Sequence, residues 1–445
     1  MNTPASDTPE STTYAIATPA QRRVVVAFLG STILGTLAAA MIWGVATLYQ
    51  LASGLDILGV MIQGTAFTVT QVLFEVPTGV LADTVGRKAS YLVSILILII
   101  STLLFLAAGR YHWGLPGFCA AASLLAIGWT FQTGTIDAWL VDALDHTGWV
   151  GSKENVFAWS GVAYEGSILV GTVLGGFLGQ ADLALPFVAR AVLLAVCFVF
   201  VAVTVHDLGF ERRPVAPHRI GHEMSRILRD GVRHGWRHRV VRPLLFDALL
   251  AGAFWMYGSA ALQPLLLDVL GRQLVWVAAV GTAVGSLAGM VGNAGAARVM
   301  RGPHGRRRPG RVLALMSALV ATTVLGIGIA GLLVHPVDRG VLPLVVVVAL
   351  WIGTCLGNGV MSPVRRSFLN QHVPSTHRAT VLSVDALFFD VGGSVGQPAL
   401  GWMSRAYSIP VAWIAGAALL FAGTQPFLIA DRAAQTLPHH KAEEV

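Results

Sequence analysis

Long apolar runs separated by short polar clusters dominate this chain. Twelve runs lie near residues 24–50, 57–81, 89–109, 115–142, 155–179, 184–206, 243–270, 273–299, 311–334, 340–362, 379–403 and 409–430. Each is roughly 20 residues or longer, the helix length that crosses a hydrocarbon core of about 30 Å. Barrel strands would instead alternate over about ten residues. Breakers mark several starts: Pro116 and Gly117 open the fourth run, Leu185 and Pro186 the sixth, Leu342 and Pro343 the tenth. In lipid every backbone N–H and C=O must pair within the protein, which helices achieve. The pattern predicts an all-α membrane protein with twelve transmembrane helices.

Composition agrees. Of 445 residues, 55% are hydrophobic and only 12% charged, against about a quarter charged in soluble domains. Residues 1–21 are polar and read as a disordered cytoplasmic tail with no cleavable signal. Residues 22–206 form a first set of six spans and 243–430 a second. Residues 207–242 are a cytoplasmic linker expected to hold an amphipathic helix, and 431–445 a second tail. With the N-terminus inside, 25 of the 30 Lys and Arg fall in cytoplasmic segments and four outside: Arg110, Arg272, Arg339 and Arg405. That imbalance puts both termini on the cytoplasmic side of a bacterial-type inner membrane. Arg190 lies within a span and is expected to snorkel outward. The net charge of +7 faces lipid headgroups; the arginines are divided among short loops, which argues against nucleic acid. Cys119, Cys197 and Cys355 stand alone in apolar runs, with no spacing for a metal or redox pair. No cofactor or metal is expected.

The two halves look like repeats. A shift of 225 positions carries Gly171 onto Gly396 and Gly176 onto Gly401, and Glu165 onto Asp390 (165 + 225 = 390). Gly171, Gly175, Gly176, Gly396 and Gly401 are expected to pack helices closely. A carboxylate within a span costs roughly 2.5–3.5 kcal/mol on insertion scales, so it needs a cavity or a partner. By helix rise, Glu165 lies about 15 Å into span five and Asp390 about 16 Å into span eleven. Both sit near the midplane, where an acid can take a proton from one side and release it to the other. Glu165 and Asp390 are therefore the leading candidates for proton coupling or cation binding, with Asp137 and Asp385 behind them. Glu75, Asp137 and Asp247 lie nearer the inner face, and Glu75 and Asp247 are candidates for the wall of a substrate cavity.

One loop names a family. Between spans two and three stand Gly79, Leu81, Ala82, Asp83, Gly86, Arg87 and Lys88. They resemble the G-x-L-A-D-x-x-G-R-K loop of the major facilitator superfamily at every marked position. The resemblance implies two pseudo-symmetric six-helix bundles that rock about a central site. It also implies a gate at Gly79, Asp83, Gly86, Arg87 and Lys88, with Asp142 as the acid at the inner end of span four. Polar contacts of this cluster are expected to hold the cytoplasmic side shut. The corresponding loop of the second half, Arg298 to Arg308, lacks the acid, so no gate is expected there.

The resemblance extends to bacterial drug–proton antiporters of the macrolide and multidrug type, through residues 131–142 and 370–383. Two departures stand against it. Thr172 occupies a proline position of the span-five glycine motif, and span four has no arginine. In that superfamily span seven lines the cavity, which makes Phe254, Trp255 and Tyr257 candidates for stacking on a substrate, and Gln263 and Asn358 candidates for hydrogen bonding. The expected activity is secondary active, proton-coupled export of an amphipathic small molecule by a monomer. A proton-coupled symporter, an importer or a facilitator is the alternative; a non-transporting membrane sensor is more remote. No nucleophile or metal motif suggests an enzyme.

Overall fold

The computed structural model describes residues 18–132, 134–210, 233, 235–270, 274–302, 308–334, 340–373 and 378–436, with the side chains at 76, 83, 378 and 379 excepted. The proposed linker helix and most of both tails lie outside the described residues.

Helices account for the architecture. The first half comprises α1 (Pro19–Trp43), α2 (Ala46–Ala52), α3 (Ile57–Val85), α4 (Arg87–Arg110), α5 (Gly114–Gln132), α6 (Thr135–His146), α7 (Lys153–Ala181) and α8 (Leu185–Thr204). The second comprises α9 (Val241–Leu270), α10 (Val275–Arg301), α11 (Pro309–Leu333), α12 (Val341–Gln371), α13 (Arg378–Ala406) and α14 (Ile409–Thr436). Among the described residues eleven spans are long and apolar enough to cross a membrane, α5 and α6 together forming one of them. The twelfth, α13, is 29 residues long and more polar, carrying Asp385 and Asp390.

Several edges differ from the sequence expectation. The first helix begins at Pro19, not after Gln21, because Thr18 and Gln21 close a capping box on its first turn. The first span breaks at Gly44, where α2 turns away. The fourth breaks before α6 at Gly134, whose φ of +71° suits a residue without a Cβ. Helix α12 runs on to Gln371, past the expected end at 362, and α14 runs to Thr436. The turn from α3 to α4 is the single residue Gly86, at φ +122°.

Packing repeats between the halves. Helix α1 lies against α7 and α8, as α9 lies against α13 and α14. Helix α3 lies against α5, as α10 lies against α12. The 225-residue shift is visible in the glycines. A Cβ at Gly171 would meet Ala40 and Leu37 of α1, and one at Gly396 would meet Ala253 of α9. Gly176 instead faces Ala279 of α10, and Gly401 faces Met61 of α3, so both serve the contact between halves.

That contact gathers at one end, opposite the basic turns. There Gln263 donates through Nε2 to Trp43 O (2.6 Å), and Thr65 Oγ1 donates to Ser394 O (3.3 Å). Phe177 stacks on Trp276 at 5.9 Å. At the rim, Arg405 Nε lies 3.2 Å from Asp56 Oδ2, while Asp56 Oδ1 caps α3 by accepting from the Gly59 amide. The cavities begin at this seal, Trp43 belonging to both the seal and the wall of one of them. Among the described residues a Cβ on Gly79 would meet nothing within 4 Å, so this glycine marks no close helix contact.

A contrast tests the packing. Gly175 fits against the Met41 carbonyl, where any Cβ collides with backbone. Gly175→Ala is expected to lower the thermal unfolding temperature by several degrees, consistent with overpacking of about 1–3 kcal/mol. Gly79→Ala is expected to leave it unchanged or slightly raised. Thermal unfolding of both variants in detergent checks this.

Candidate functional site

Two cavities occupy equivalent places in the two halves. The first, about 440 Å³, is bounded by α1, α4, α5, α6 and α7; the second, about 710 Å³, by α9, α11, α12, α13 and α14. Their linings correspond. Ile136, Asp137, Ser160, Gly161 and Tyr164 of the first map by the 225-residue shift onto Met361, Ser362, Asp385, Ala386 and Phe389 of the second. Ser31, Thr32, Gly35 and Ala39 of α1 map onto Asp247, Ala248, Ala251 and Trp255 of α9 by a shift of 216 (31 + 216 = 247). The geometry is repeated but the chemistry is not.

In the second cavity a single cation organises two acids. Arg365 donates through Nε to Asp247 Oδ2 (2.8 Å). It is bidentate on Asp385, through Nη1 to Oδ2 (2.7 Å) and Nη2 to Oδ1 (2.8 Å). Nη2 also donates to Leu244 O (2.8 Å). The planar guanidinium suits this fork, and the low-dielectric surroundings strengthen it. The group ties α9, α12 and α13 together. Asp247, expected in the cavity, and Asp385 both line it, and both are ion-paired there with Arg365. Sequence reasoning missed Arg365, reading it as a cytoplasmic anchor. The signal was the pair of intramembrane acids with no assigned cation, but ending the span at 362 placed Arg365 outside it.

Other expected residues divide. Trp255, Asn358 and Asp390 line the second cavity. Glu75 is exposed on α3 and lies within electrostatic range of Asp390 across the gap between halves. Asp390 sits one turn from Ser394, where the seal ends. Glu165 is half-buried on α7, on the stripe that reaches Thr172 and Gly176 two and three turns later, and is absent from both linings. Phe254 and Tyr257 do not face a cavity. Both are fully buried, Phe254 edge-on to Trp413 and Tyr257 hydroxyl-bonded to Ser404 (2.6 Å). Successive residues on a helix point about 100° apart, so only Trp255 of the three faces inward. Gln263 belongs to the seal. Arg190 does not snorkel: it is buried, with Nε donating to Thr102 Oγ1 (3.1 Å).

The first cavity was not anticipated beyond Asp137. Trp43, Tyr91, Trp129, Phe157 and Tyr164 supply five aromatic rings to it. They come from four different elements, α1, α4, α5 and α7, so no local sequence pattern announces them.

The gate loop is held within its own half. Arg87 Nε lies 3.8 Å from Asp142 Oδ2, and its guanidinium stands 5.7 Å over the Phe210 ring. The Lys88 amide donates to Asp207 Oδ1 (2.8 Å), and Lys88 Nζ donates to Ala202 O (2.7 Å). A Cβ at Gly86 would stand 2.7 Å from Asp207 Oδ2. Asp83 lies outside the described side chains. The described partners of Arg87 and Lys88 belong to the first half and the start of the linker. Asp207 was missed because the linker reads as tether.

A family model described as Major Facilitator Superfamily matches residues 26–354. This chain belongs to the major facilitator superfamily. The transporter aligns with the tetracycline resistance protein, class G, of Vibrio anguillarum at 29% identity over 153 residues, 34% of this chain and 37% of that relative. Its helices superpose on the crystal structure of nucleoside transporter NupG with a TM-score of 0.70 at 14% identity, covering 92% of this chain and 98% of that one. The POT family transporter PepTSo gives a TM-score of 0.71 at 14% identity, covering 94% and 99%. At such identities the likeness is one of fold. The protein is a multi-pass membrane transporter of the superfamily type.

Removing the buried cation tests the second cavity. Arg365→Met leaves Asp247 and Asp385 without their counter-charge, and breaking a buried pair from one side costs about 3–5 kcal/mol. Arg365→Lys is expected to rescue little, since an ammonium cannot be bidentate and also reach Asp247. Unfolding temperature and folded yield of both variants measure this.

Proposed function

We propose that this transporter is a proton-coupled exporter of amphipathic small molecules that works by alternating access, with both termini in the cytoplasm of a bacterial cell. The observation that carries the reading is Asp390: a carboxylate at a cavity wall, beside the end of the seal, within electrostatic range of Glu75 on α3. An acid in that place changes surroundings when the halves rock, from cavity to packed contact. Such a change shifts its balance between carboxylate and carboxylic acid, which couples proton movement to conformation. Glu165 is the counterpart of Asp390 on α7, and α7 carries the other interface between halves.

A seal at one end and cavities beyond it fit one limb of an alternating-access cycle. The Lys and Arg imbalance assigns the open end to the cytoplasm, which makes this an inward-facing arrangement ready to load from inside the cell. A partial relative named for tetracycline resistance favours export of a foreign compound. Transport needs no covalent chemistry from the chain, in keeping with a protein that is not an enzyme.

The test uses the full chain in proteoliposomes with an imposed pH gradient and amphipathic cations and antibiotics as cargo. Gradient-driven antiport is expected in the parent. Asp390→Asn and Glu165→Gln are each expected to reduce it at least tenfold while facilitated exchange without a gradient persists. Full gradient-driven transport in both variants would refute the proton sites. Parent transport that ignores the gradient leaves a facilitator, and cargo moving in the same direction as protons leaves a symporter.

A further inference from the structure

Helices α10 and α12 touch backbone to backbone and then part. A Cβ on Gly359 would collide with the Gly289 carbonyl, and one on Gly292 with the Leu356 carbonyl. Pro363, which has no N–H to give the Gly359 carbonyl, stands one turn further along α12. From that turn onward a pocket of about 520 Å³ opens between the two helices. Its polar lining is Asn293 of α10 and Ser362, Arg366, Ser367, Asn370 and Gln371 of α12. Asn293 stands eight residues before Arg301, the end of α10, and Gln371 is the last residue of α12. The pocket therefore occupies roughly the last 12 Å of both helices, at the basic end of the molecule.

The charge in this pocket is unbalanced. Among the described residues Arg366 is the one charged side chain in the lining, and no carboxylate pairs with it. Ser362 and Arg366 also reach the second cavity, but its acids at 247 and 385 are already hydrogen-bonded to Arg365. Adjacent residues on a helix point about 100° apart. Arg365 thus turns to the acids of its bundle, and Arg366 turns to amides and hydroxyls. Asn370 adds a second unused group: its Oδ1 is buried with no hydrogen-bond partner, a state that costs about 1–3 kcal/mol. Ser367 Oγ accepts from Gln371 Nε2 (3.2 Å), which leaves its own hydroxyl hydrogen to donate.

We propose that this pocket binds a phosphate group, as the free ion or in a phospholipid headgroup, with Arg366 as its counter-charge. A guanidinium pairs with phosphate oxygens through two parallel N–H donors, and Asn293, Ser362 and Ser367 add donors from both walls. Donors on opposite walls suit a tetrahedral group, whose oxygens point to several sides, better than a flat carboxylate. The unpaired Asn370 Oδ1 accepts from a hydroxyl, which a protonated phosphate and a glycerol headgroup both carry. A cation is disfavoured by Arg366, and a neutral ligand leaves the guanidinium unmatched. Close to the helix ends, the pocket lies at the depth where lipid headgroups meet a spanning protein. The site concerns neither cargo nor proton, so it does not rest on the exporter reading.

Equilibrium binding to the full chain in detergent tests this with three probes. Radiolabelled inorganic phosphate is followed by equilibrium dialysis. Dioleoyl phosphatidylglycerol and its phosphate-free counterpart dioleoylglycerol are followed by native mass spectrometry. The parent is expected to bind the phosphatidylglycerol at least tenfold more tightly than dioleoylglycerol, to bind inorganic phosphate saturably, or both. Saturable phosphate binding assigns the free ion as a ligand, and lipid binding alone assigns the headgroup. Arg366→Gln is expected to weaken whichever phosphate probe binds at least tenfold. Asn293→Asp places a carboxylate on the facing wall and is expected to do the same. Arg432→Gln removes an equal charge from an exposed position on α14 outside the pocket, and is expected to change binding less than twofold. Each variant is checked for a single symmetric peak on size exclusion. A parent that binds no phosphate and does not distinguish the two lipids overturns the proposal. Parent-like binding by Arg366→Gln overturns it too, as does an equal loss in Arg432→Gln. If Arg366→Gln does not fold, parent-like binding by Asn293→Asp overturns it.

Discussion

Two bundles of helices in lipid gain little from the hydrophobic effect by touching, since lipid tails are as apolar as leucine. What holds them is close van der Waals contact, and that needs residues with no side chain at the crossing points. Gly176 against Ala279 and Gly401 against Met61 provide it, on the two helix pairs that join the halves. Toward the basic end the same helices carry Glu75, Glu165 and Asp390, which cannot be pressed together without partners or protons. The seal lies where Gly176 and Gly401 let the helices of the two halves touch, and Glu165 and Asp390 stand on the same helices nearer the basic end.

Within each half the intramembrane charges follow a second rule: a buried charge needs a partner, and the partner fixes its use. Arg365 engages Asp247 and Asp385 so fully that these three residues act as a clasp between helices. Asp390 and Asp137 lack such a clasp and face space instead. Position in the sequence does not separate the two kinds, since Asp385 and Asp390 stand on the same helix a little over one turn apart. Only the arginine reaching in from α12 divides them. The gate loop shows the same dependence, with Lys88 and Gly86 fitted to Asp207 from the far end of the half.

The repeat was legible at a few positions only. The 225-residue shift is apparent in Gly171, Gly176 and Glu165, and it turns out to relate whole cavity walls. The matching shift of 216 for α1 and α9 is invisible in the sequence, because Ser31 and Asp247, or Ala39 and Trp255, share no chemistry. Backbone symmetry has outlasted side-chain similarity, as expected when packing constrains the helices and function constrains only some of the residues between them. The cavity-facing residue of α9 was equally hidden: Phe254, Trp255 and Tyr257 are adjacent aromatics, and only rotation of the helix within its bundle selects Trp255.

By itself the sequence determined the solvent, the helix count, the family and the presence of acids at membrane depth. These rest on composition, run length and one contiguous loop, all of which are local and survive reading in one dimension. The tertiary structure decided which acids are neutralised, which aromatics form a wall, which end is sealed and which half holds an uncompensated charge. Each of those depends on side chains brought together from helices far apart in the chain. A long guanidinium or an indole ring reaches whichever neighbour packing supplies, and nothing in its own segment names that neighbour.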